Sequence, residues 1–386
     1  MVRLTRAQQQ ERTRAAVLAA AKAEFTERGY ATAKVDRIAE RADLTRGAVY
    51  SNFPSKRALY LAVLIDMVER AAGPQDAAAD GFPPSAAPAR ASTPEALGAF
   101  ARIWLERLPL ADHDPTAGRV RPGSLTEVLD DEPIRAAFGQ VTRLEALLLA
   151  LALESLDARA CTGAPPARQV RRAQLVLRLL DGPGASADPA LGFGDPFDIA
   201  QACAHLGGLA LADAWNPPHL PYVPPARACR DRWDPPRELR DLLSGRMVGF
   251  AEAGVITVLG THRLEAAEEA VRSARPGDLV TVAVATADPA ELGRLVQLRI
   301  GDFARCLWRA FDPDCRPRLR LVLDEHGLLA SAVGVPDADD TTEYAVRVRH
   351  RTIVTRAQGP GAAHAAATHD LTSADVSPTT PDEAAP

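Results

Sequence analysis

The chain has 386 residues, 47% of them hydrophobic, and a formal net charge of −5, so it can fold into two or three domains. Its polar, charged N-terminus and the absence of any run of 18 apolar residues exclude a secretory signal and a membrane span, and we expect a cytoplasmic protein. Its five cysteines are scattered, odd in number and without metal-ligand spacing, so we expect neither a metal nor another cofactor.

The charge is divided unevenly along the chain. Residues 1–72 contain 13 Lys+Arg and 8 Asp+Glu, a net of +5, so the remainder must carry −10 to give the total of −5. A basic head on an acidic body suits a protein that holds DNA with one end only.

Residues 35–56, VDRIAERADLTRGAVYSNFPSK, predict two short helices joined by a tight turn. Apolar residues recur at helical spacing along the first helix: Val35, Ile38, Ala39 and Ala42. Asp43 breaks this pattern and tolerates the left-handed backbone that ends a helix. Thr45 can cap the second helix and Pro54 ends it, so the stretch predicts a helix-turn-helix whose second helix enters a DNA major groove.

This stretch resembles the DNA-binding domain of the TetR family of bacterial transcription regulators, over residues 12–69. The matching positions are Gly29, Tyr30, Ile38, Ala39, Leu44, Thr45, Arg46, Gly47, Tyr50, Phe53, Ser55 and Lys56. Two positions depart from the family pattern: Ala33 replaces a Thr that usually caps the second helix, and Asp43 replaces a Gly. We expect a weaker cap from the first change and little cost from the second. The number of matches disfavours the alternative, a generic three-helix bundle with a chance turn.

The start of the second helix carries side chains suited to DNA. Arg46 can form a bidentate pair with guanine or hold a phosphate, and Thr45 can reach a phosphate or a base edge. Gly47 lets the backbone approach closely, and Val49 can touch a thymine methyl group. These four residues are therefore candidate DNA contacts.

The resemblance adds four candidates on the same helix and just after it. Tyr50 and Lys56 correspond to phosphate contacts of the family, while Ser51 and Asn52 lie where the family varies and tune the choice of sequence.

Two cations precede the turn. Lys34 and Arg37 are either contacts to the DNA backbone or solvated charges. Together these residues predict a regulator with double-stranded operator DNA as its partner.

Residues 94–215 predict an all-helical body, with one helix each over 94–108, 167–181 and 196–215 and one or two helices over 124–160. By position, the resemblance implies a ligand-binding and dimerisation domain with a mostly apolar effector pocket between its helices. Trp104 and Phe138 are candidates to line that pocket, core packing being the alternative for each. The last helix is rich in small residues, which favours close approach of another helix, either across a dimer seam or within one chain.

Seven prolines between residues 216 and 236 forbid a helix or a central strand, so we place a domain boundary there. Beyond it the pattern predicts a helix over 237–252 and then alternating strands and helices that end in a hairpin and a helix. Such an order indicates a mixed sheet with helices on both faces. It resembles the thioredoxin and peroxiredoxin fold, on the segment LRLVLDEHGLLASAVGV and the hairpin before the final helix.

Redox enzymes of that fold need a low-pKa thiolate at the start of the helix after the first strand. The corresponding segment, residues 260–264, reads GTHRL and has no cysteine. We therefore expect a domain for contact or sensing and no enzyme. The alternatives are a thiol-redox-sensing regulator that uses Cys306 and Cys315, or a redox enzyme acting through this domain.

The predicted fold is multidomain: an all-α helix-turn-helix head and helical regulatory body, followed by an α/β domain with a thioredoxin-like mixed sheet. The predicted segments are a flexible arm (1–11), the helix-turn-helix domain (12–71), a linker (72–94), the helical ligand-binding and dimerisation domain (95–236), the α/β domain (237–370) and a disordered tail (371–386). The predicted function is a ligand-responsive, homodimeric transcriptional regulator of a palindromic operator. Its effector is an unknown small molecule, and repression is the family's commoner outcome.

Overall fold

The computed structural model describes residues 5–71, 92–106, 125, 128–160, 167–185, 195–213 and 215–369. The helices of the N-terminal half are α1 (Arg6–Thr32), α2 (Val35–Arg41), α3 (Arg46–Asn52), α4 (Lys56–Ala71), α5 (Thr93–Leu105), α6 (Glu132–Ala160), α7 (Val170–Ala185) and α8 (Pro196–Gly207). Helix α1 begins inside the predicted flexible arm, where the Thr5 hydroxyl and the Gln8 side chain form a capping box. The predicted linker, except for its last three residues, and the predicted tail lie outside the described residues.

Helices α1 to α4 form a head around one apolar core. Its centre is a group of three aromatic rings: Phe25 and Tyr30 each lie 5.0 Å from Tyr60, measured between centroids. Gly29 has a φ of 72°, which kinks α1 just before Tyr30 and turns that ring into the cluster. Edge-to-face and tilted pairs of this kind stabilise a small core beyond the area they bury.

The small residues of α8 contact α5 of the same chain. A Cβ on Gly98 would lie 3.2 Å from the Cβ of Ala204, and one on Gly207 would lie 2.6 Å from the Cα of Pro94. The close approach is therefore internal packing, the second of the two alternatives for this helix. The helix ends at Gly207 and does not continue to residue 215 as predicted.

Helix α6 is long and apolar enough to cross a membrane by length and composition alone. However, 61% of its most apolar stretch is buried inside the protein. It packs against α7 and against α10 (Arg294–Ala310), so it has the surroundings of a core helix.

The C-terminal half contains a six-stranded mixed sheet. Its elements are β1 (Arg227–Arg232), β4 (Gly254–Gly260), α9 (Ala266–Ser273), β5 (Leu279–Ala285), a π-helical turn (Pro289–Gly293), α10, β6 (Leu319–Leu323), α11 (Leu328–Val333), β7 (Glu343–Arg349), β8 (Thr352–Gln358) and α12 (Ala362–Thr368). The strand order is β1-β8-β7-β4-β5-β6. Strands β4, β5 and β6 are parallel, while β7, β8 and β1 continue the sheet antiparallel. The prediction of a mixed sheet is confirmed.

Helices cover both faces of this sheet. On one face Val282 and Val284 of β5 pack with α9 and α10. On the other, Ile256 and Val258 of β4 pack with α11 and with Trp233. The alternation along each strand sends neighbouring residues to opposite cores, as the pleat requires.

The helix predicted over 237–252 is wrong. A short hairpin takes its place, with β2 (Leu239–Arg240) paired to β3 (Met247–Val248). The Asp241 carboxylate accepts from the backbone N–H and the hydroxyl of Ser244 and from the N–H of Leu321, which ties the turn to the edge strand β6. Local hydrogen bonding by Asp and tertiary pairing thus outweigh helix propensity here.

The sheet begins at β1, earlier in the chain than the predicted domain start at residue 237. Strand β1 lies between Pro225 and Pro235 and occupies an edge of the sheet. Proline has no backbone N–H to donate, so prolines next to a strand are tolerated best at such an edge.

Helix α10 joins the two halves through a shared core. Phe303 of α10 packs edge-on against Phe100 and Trp104 of α5, with centroids 5.7 and 5.8 Å apart. Arg299 of α10 forms two hydrogen bonds, of 3.0 and 2.7 Å, with Glu145 of α6, and both side chains are at most 5% exposed. The helical body and the sheet are therefore packed as one structure along α10.

Candidate nucleic-acid interface

The turn between α2 and α3 adopts the backbone that the sequence suggests. Asp43 has a φ of 54°, in the left-handed region, and the N–H of Leu44 donates to the carbonyl of Ala39 at 2.9 Å. Lys34, not Ala33, stands at the N-cap of α2, and its side chain makes no cap, while Ala33 is the C-cap of α1. The turn is thus formed with one residue strained and one cap absent.

Thr45 is the N-cap of α3. Its hydroxyl accepts from the N–H of Ala48 at 3.2 Å, which leaves other N–H groups of the first turn directed outward. Thr45, Arg46, Gly47, Tyr50 and Ser51 are all exposed. A Cβ on Gly47 would meet only the Thr45 hydroxyl, at 3.9 Å, so the backbone there is accessible to a ligand.

Arg46 lies across the exposed face of α3. Its guanidinium is 5.4 Å from the centroid of Tyr50 and 3.4 Å from the carboxylate of Asp36. A hydrogen bond with Tyr50, followed by the charge of Asp36, raises the pKa of Arg46, so the group carries a full positive charge. An exposed ion pair of this kind is weak, and a phosphate or a guanine can replace it.

Val49 does not belong to this surface. It is 1% exposed and packs with Ile38 in the core of the head. Val49 and Phe53 are four residues apart and so share the inward side of α3. The prediction that Val49 touches a thymine methyl group is therefore wrong.

Ser51 and Asn52 lie at the end of α3. Both side chains donate to the carbonyl of Ala48, at 2.9 and 2.8 Å. These local bonds hold the polar groups at the exposed end of the helix, and Asn52 is half-buried.

The cations outside α3 differ in their surroundings. Lys56 donates to the carbonyl of Ala31 at 3.1 Å and lies 4.7 Å from the ring centroid of Tyr30. Lys34 is exposed and Arg37 is half-buried. Lys56 thus has a structural partner as well as its predicted phosphate role.

A family model decides the identity of the head. Residues 17–63, from α1 into α4, match the model of the DNA-binding domain described as "Bacterial regulatory proteins, tetR family". The head is a TetR-type helix-turn-helix domain. No curated protein matches the chain.

Solved structures of regulators are also similar to parts of the chain. A TetR transcriptional regulator from Rhodococcus sp. RHA1 is 20% identical and covers 52% of this chain and 94% of its own, with a TM-score of 0.29. NalD, the secondary repressor of the MexAB-OprM multidrug efflux pump in Pseudomonas aeruginosa, is 20% identical and covers 53% and 99%, with a TM-score of 0.30. The fatty acid degradation regulator FadR from Bacillus halodurans is 17% identical and covers 50% and 93%, with a TM-score of 0.26. At these TM-scores the assignment depends on the family model alone.

The TetR-type domain is held by the C-terminal half at the start of α4. Arg57 donates to Glu291 at 2.5 Å and also forms ion pairs with Asp130 and Asp131. The hydroxyl of Ser55 donates to the same Glu291 carboxylate. Burial works against the charge of Arg57, but these carboxylates outweigh it and raise its pKa.

Helix α10 continues these contacts along α4. Arg294 donates to the carbonyl of Ala58 at 2.8 Å and lies 5.3 Å from the ring centroid of Phe53. Leu295 and Leu298 belong to the apolar core of the head itself. Sequence reasoning missed this interface because its partners are more than 200 residues apart and carry no local signal.

Trp104 and Phe138 lie in packed surroundings. Trp104 is 5% exposed and contacts Phe100 and Phe303, and the guanidinium of Arg299 lies 4.8 Å from the ring centroid of Phe138. Their role as pocket residues stays a prediction.

The thiols of the described residues are mostly buried. Burial raises the pKa of Cys203 to about 11 and also raises that of Cys315, while Cys306 is 5% exposed. A thiol with a raised pKa is a poor nucleophile, so nothing here favours the redox alternatives.

Proposed function

We propose that the chain is a homodimeric, ligand-responsive repressor that reads a roughly palindromic operator. The exposed face of α3 in a TetR-type domain carries this proposal. It presents Thr45, Arg46, Gly47, Tyr50 and Ser51 together, while Val49 and Phe53 anchor the helix from the other side. The basic head and the acidic remainder favour binding of DNA by this end. A regulator that binds operator DNA acts in the cytoplasm, so we propose that location.

A palindromic operator requires two copies of the head. Their recognition helices must lie about 34–36 Å apart to enter successive major grooves. Leu175 of α7 and Phe197 of α8 are 42% and 68% exposed, and a second copy over these helices would remove them from water. Phe197→Glu is expected to shift the protein toward monomer in sedimentation velocity, and an unchanged dimer would place the seam elsewhere.

The DNA contacts are tested by the salt dependence of binding. The double variant Tyr50→Phe, Lys56→Ala should weaken binding to every duplex and reduce the slope of log affinity against log salt by about one, because one charged phosphate contact is lost. The measurement is fluorescence anisotropy with a labelled duplex from upstream of the chain's own gene. Because Lys56 also binds the Ala31 carbonyl, circular dichroism must show an intact head.

The matched control is Arg232→Gln, which removes one exposed cation from β1, outside the head. Its salt slope should equal that of the wild type. A double variant with the wild-type slope would refute the phosphate role, and a wild type indifferent to DNA at low salt would refute the proposed function.

An effector acts by preferring one spacing of the two heads over the other. The proposal that Trp104 and Phe138 line the effector pocket is tested by Phe138→Ala, which should change effector response without changing the salt slope.

The thioredoxin-like identity of the C-terminal sheet is likewise proposed; the central β4, flanked by parallel β5 and antiparallel β7, supports it. Residues 260–264, between β4 and α9, have no cysteine, so we propose no enzymatic role.

A further inference from the structure

A cavity of about 120 Å³ lies between α4, α10 and the β2–β3 hairpin. Its lining residues come from three elements: Ile65, Val68 and Glu69 of α4; Gln297, Leu298, Gly301 and Arg305 of α10; and Arg240, Asp241, Leu242, Ser244 and Gly245 of the hairpin. The cavity therefore spans the boundary between the DNA-binding head and the C-terminal half.

Gly301 contributes no side chain to this space. A glycine in a helix interior destabilises the helix relative to alanine, so it usually serves a close approach or an unusual backbone angle. Neither applies, because a Cβ on Gly301 would meet nothing within 4 Å and its φ is not positive. Gly98 shows the contrast, since a Cβ there would lie 3.2 Å from Ala204.

Two guanidinium groups and two carboxylates line the cavity, and the guanidinium groups are the ones that can bind an anion. Arg240 holds Glu69 and the Gly245 carbonyl only through long contacts of 3.3 Å each, and the Arg240–Glu69 pair is exposed. Such a pair is weak and exchanges readily for another carboxylate. Arg305 adds a second guanidinium and donates to the carbonyl of Val68 in α4.

The buried carboxylate of the cavity, Asp241, is less able to bind a cation than the two guanidinium groups are to bind an anion. Asp241 is 4% exposed, and its carboxylate already accepts from the N–H and hydroxyl of Ser244 and from the N–H of Leu321. Apolar side chains of Val68, Leu242 and Leu298 line the rest of the space. The site thus combines two guanidinium groups with a small apolar wall.

We propose that this cavity is a second effector site, separate from the pocket proposed for Trp104 and Phe138, and that it binds a small organic anion, a carboxylate on a short apolar body. The volume lies below the several hundred Å³ of sites for larger ligands, which favours a small metabolite. A carboxylate bound to Arg240 and Arg305 would compete with Glu69 and the Val68 carbonyl, both on α4. Binding would therefore act directly on the helix that connects the reading head to the body.

The binding experiment uses the full chain and a panel of probes: acetate, butyrate, hexanoate and benzoate, with butylamine as the cationic counterpart. Thermal shift and calorimetry measure binding without DNA, so this test does not depend on the proposed function. At least one carboxylate is expected to raise the melting temperature at millimolar concentration, and butylamine is not. Absence of any carboxylate effect, or an equal effect of butylamine, would overturn the proposal.

Two variants locate the site. Gly301→Leu fills the space and Arg240→Gln removes an exposed cation, and each should weaken carboxylate binding about tenfold or more. The matched control is Gly139→Leu on α6, where a Cβ also meets nothing within 4 Å. Gly301→Ala is a control for folding: alanine favours a helix over glycine, so this variant should raise the melting temperature of the free protein if substitution at residue 301 is tolerated. Wild-type binding by both Gly301→Leu and Arg240→Gln would place the anion elsewhere and overturn the assignment.

The effector role rests on the proposed function and has its own readout. A saturating carboxylate is expected to change affinity for the upstream duplex about tenfold in the wild type and not in Gly301→Leu. Binding without any change in DNA affinity would overturn the effector role. A wild type that ignores the duplex at low salt would instead overturn the proposed function and leave the binding result intact.

Discussion

Arg57 in the first turn of α4 donates a hydrogen bond of 2.5 Å to Glu291 in the turn before α10, across a sequence separation of 234 residues. The side chains are only 15% and 17% exposed, so water screens this ion pair less than a surface pair. Asp130 and Asp131 hold the same guanidinium from the segment before α6. The orientation of the DNA-reading head therefore depends on two later parts of the chain.

We expect Glu291→Gln to lower the free energy of unfolding by about 1–2 kcal/mol, because a charge-assisted hydrogen bond becomes a neutral one. Amide hydrogen exchange in the first turns of α4 should also become faster. Urea denaturation and exchange mass spectrometry measure the two effects. Glu252→Gln is the control, since Glu252 pairs with Arg320 while 57% exposed and should change stability little. Equal changes in unfolding free energy for the two variants would mean that the contact of Glu291 with Arg57 stabilises the protein no more than an exposed ion pair does.

Arg299 and Glu145 form a buried pair between α10 and α6, and we expect it to respond asymmetrically to substitution. Arg299→Met alone leaves a carboxylate buried without its partner and should cost about 3–5 kcal/mol of unfolding free energy. The double variant Arg299→Met, Glu145→Leu removes both charges and should recover most of that loss. Chemical denaturation of the wild type, both single variants and the double variant gives the coupling energy. A double variant no more stable than Arg299→Met would contradict the account.

The elements that the sequence predicted well carry local signals. The parallel strands β4 and β5 are continuous apolar runs bounded by turns, which favours buried strands. Asp43 and Thr45 mark the turn and the cap of the helix-turn-helix, and both have the expected roles in the structure. In each case a few neighbouring residues determine the conformation.

The parts that the sequence did not predict depend on distant contacts. The β2–β3 hairpin forms because Asp241 binds the backbone of β6, some 80 residues away. Val49 lies next to the exposed Tyr50, and only the packing of α3 against the head shows that it points inward. The contact of α10 with α4 follows from neither periodicity nor composition, so sequence reasoning placed the C-terminal half in a separate domain.

Asp43 lies in the left-handed region, and we expect Asp43→Gly to stabilise the head by about 0.5–1 kcal/mol by removing the strain of a Cβ there. Asp36→Gly is the matched comparison, because Asp36 lies in the first turn of α2, where glycine should instead destabilise by about the same amount. Thermal unfolding of both variants shows whether each substitution raises or lowers stability. A loss of stability in both would show that the Asp43 side chain makes a favourable contribution that outweighs its backbone strain.

Glu269 of α9 gives the chain a pH dependence that can be measured. Burial, and then the nearby charge of Glu343, raise its pKa above the ordinary 4.5, while His219 at 2.8 Å and Arg263 oppose this. The folded state then binds more protons than the unfolded state, so the contribution of Glu269 to stability is present below pH 4.5 and is lost as the pH rises through the folded pKa. Glu269→Gln cannot ionise, so its unfolding free energy relative to the wild type should increase over that range in denaturation at several pH values. Glu132→Gln, 80% exposed, should track the wild type at every pH. A constant difference between Glu269→Gln and the wild type would show that Glu269 titrates alike in the folded and unfolded states.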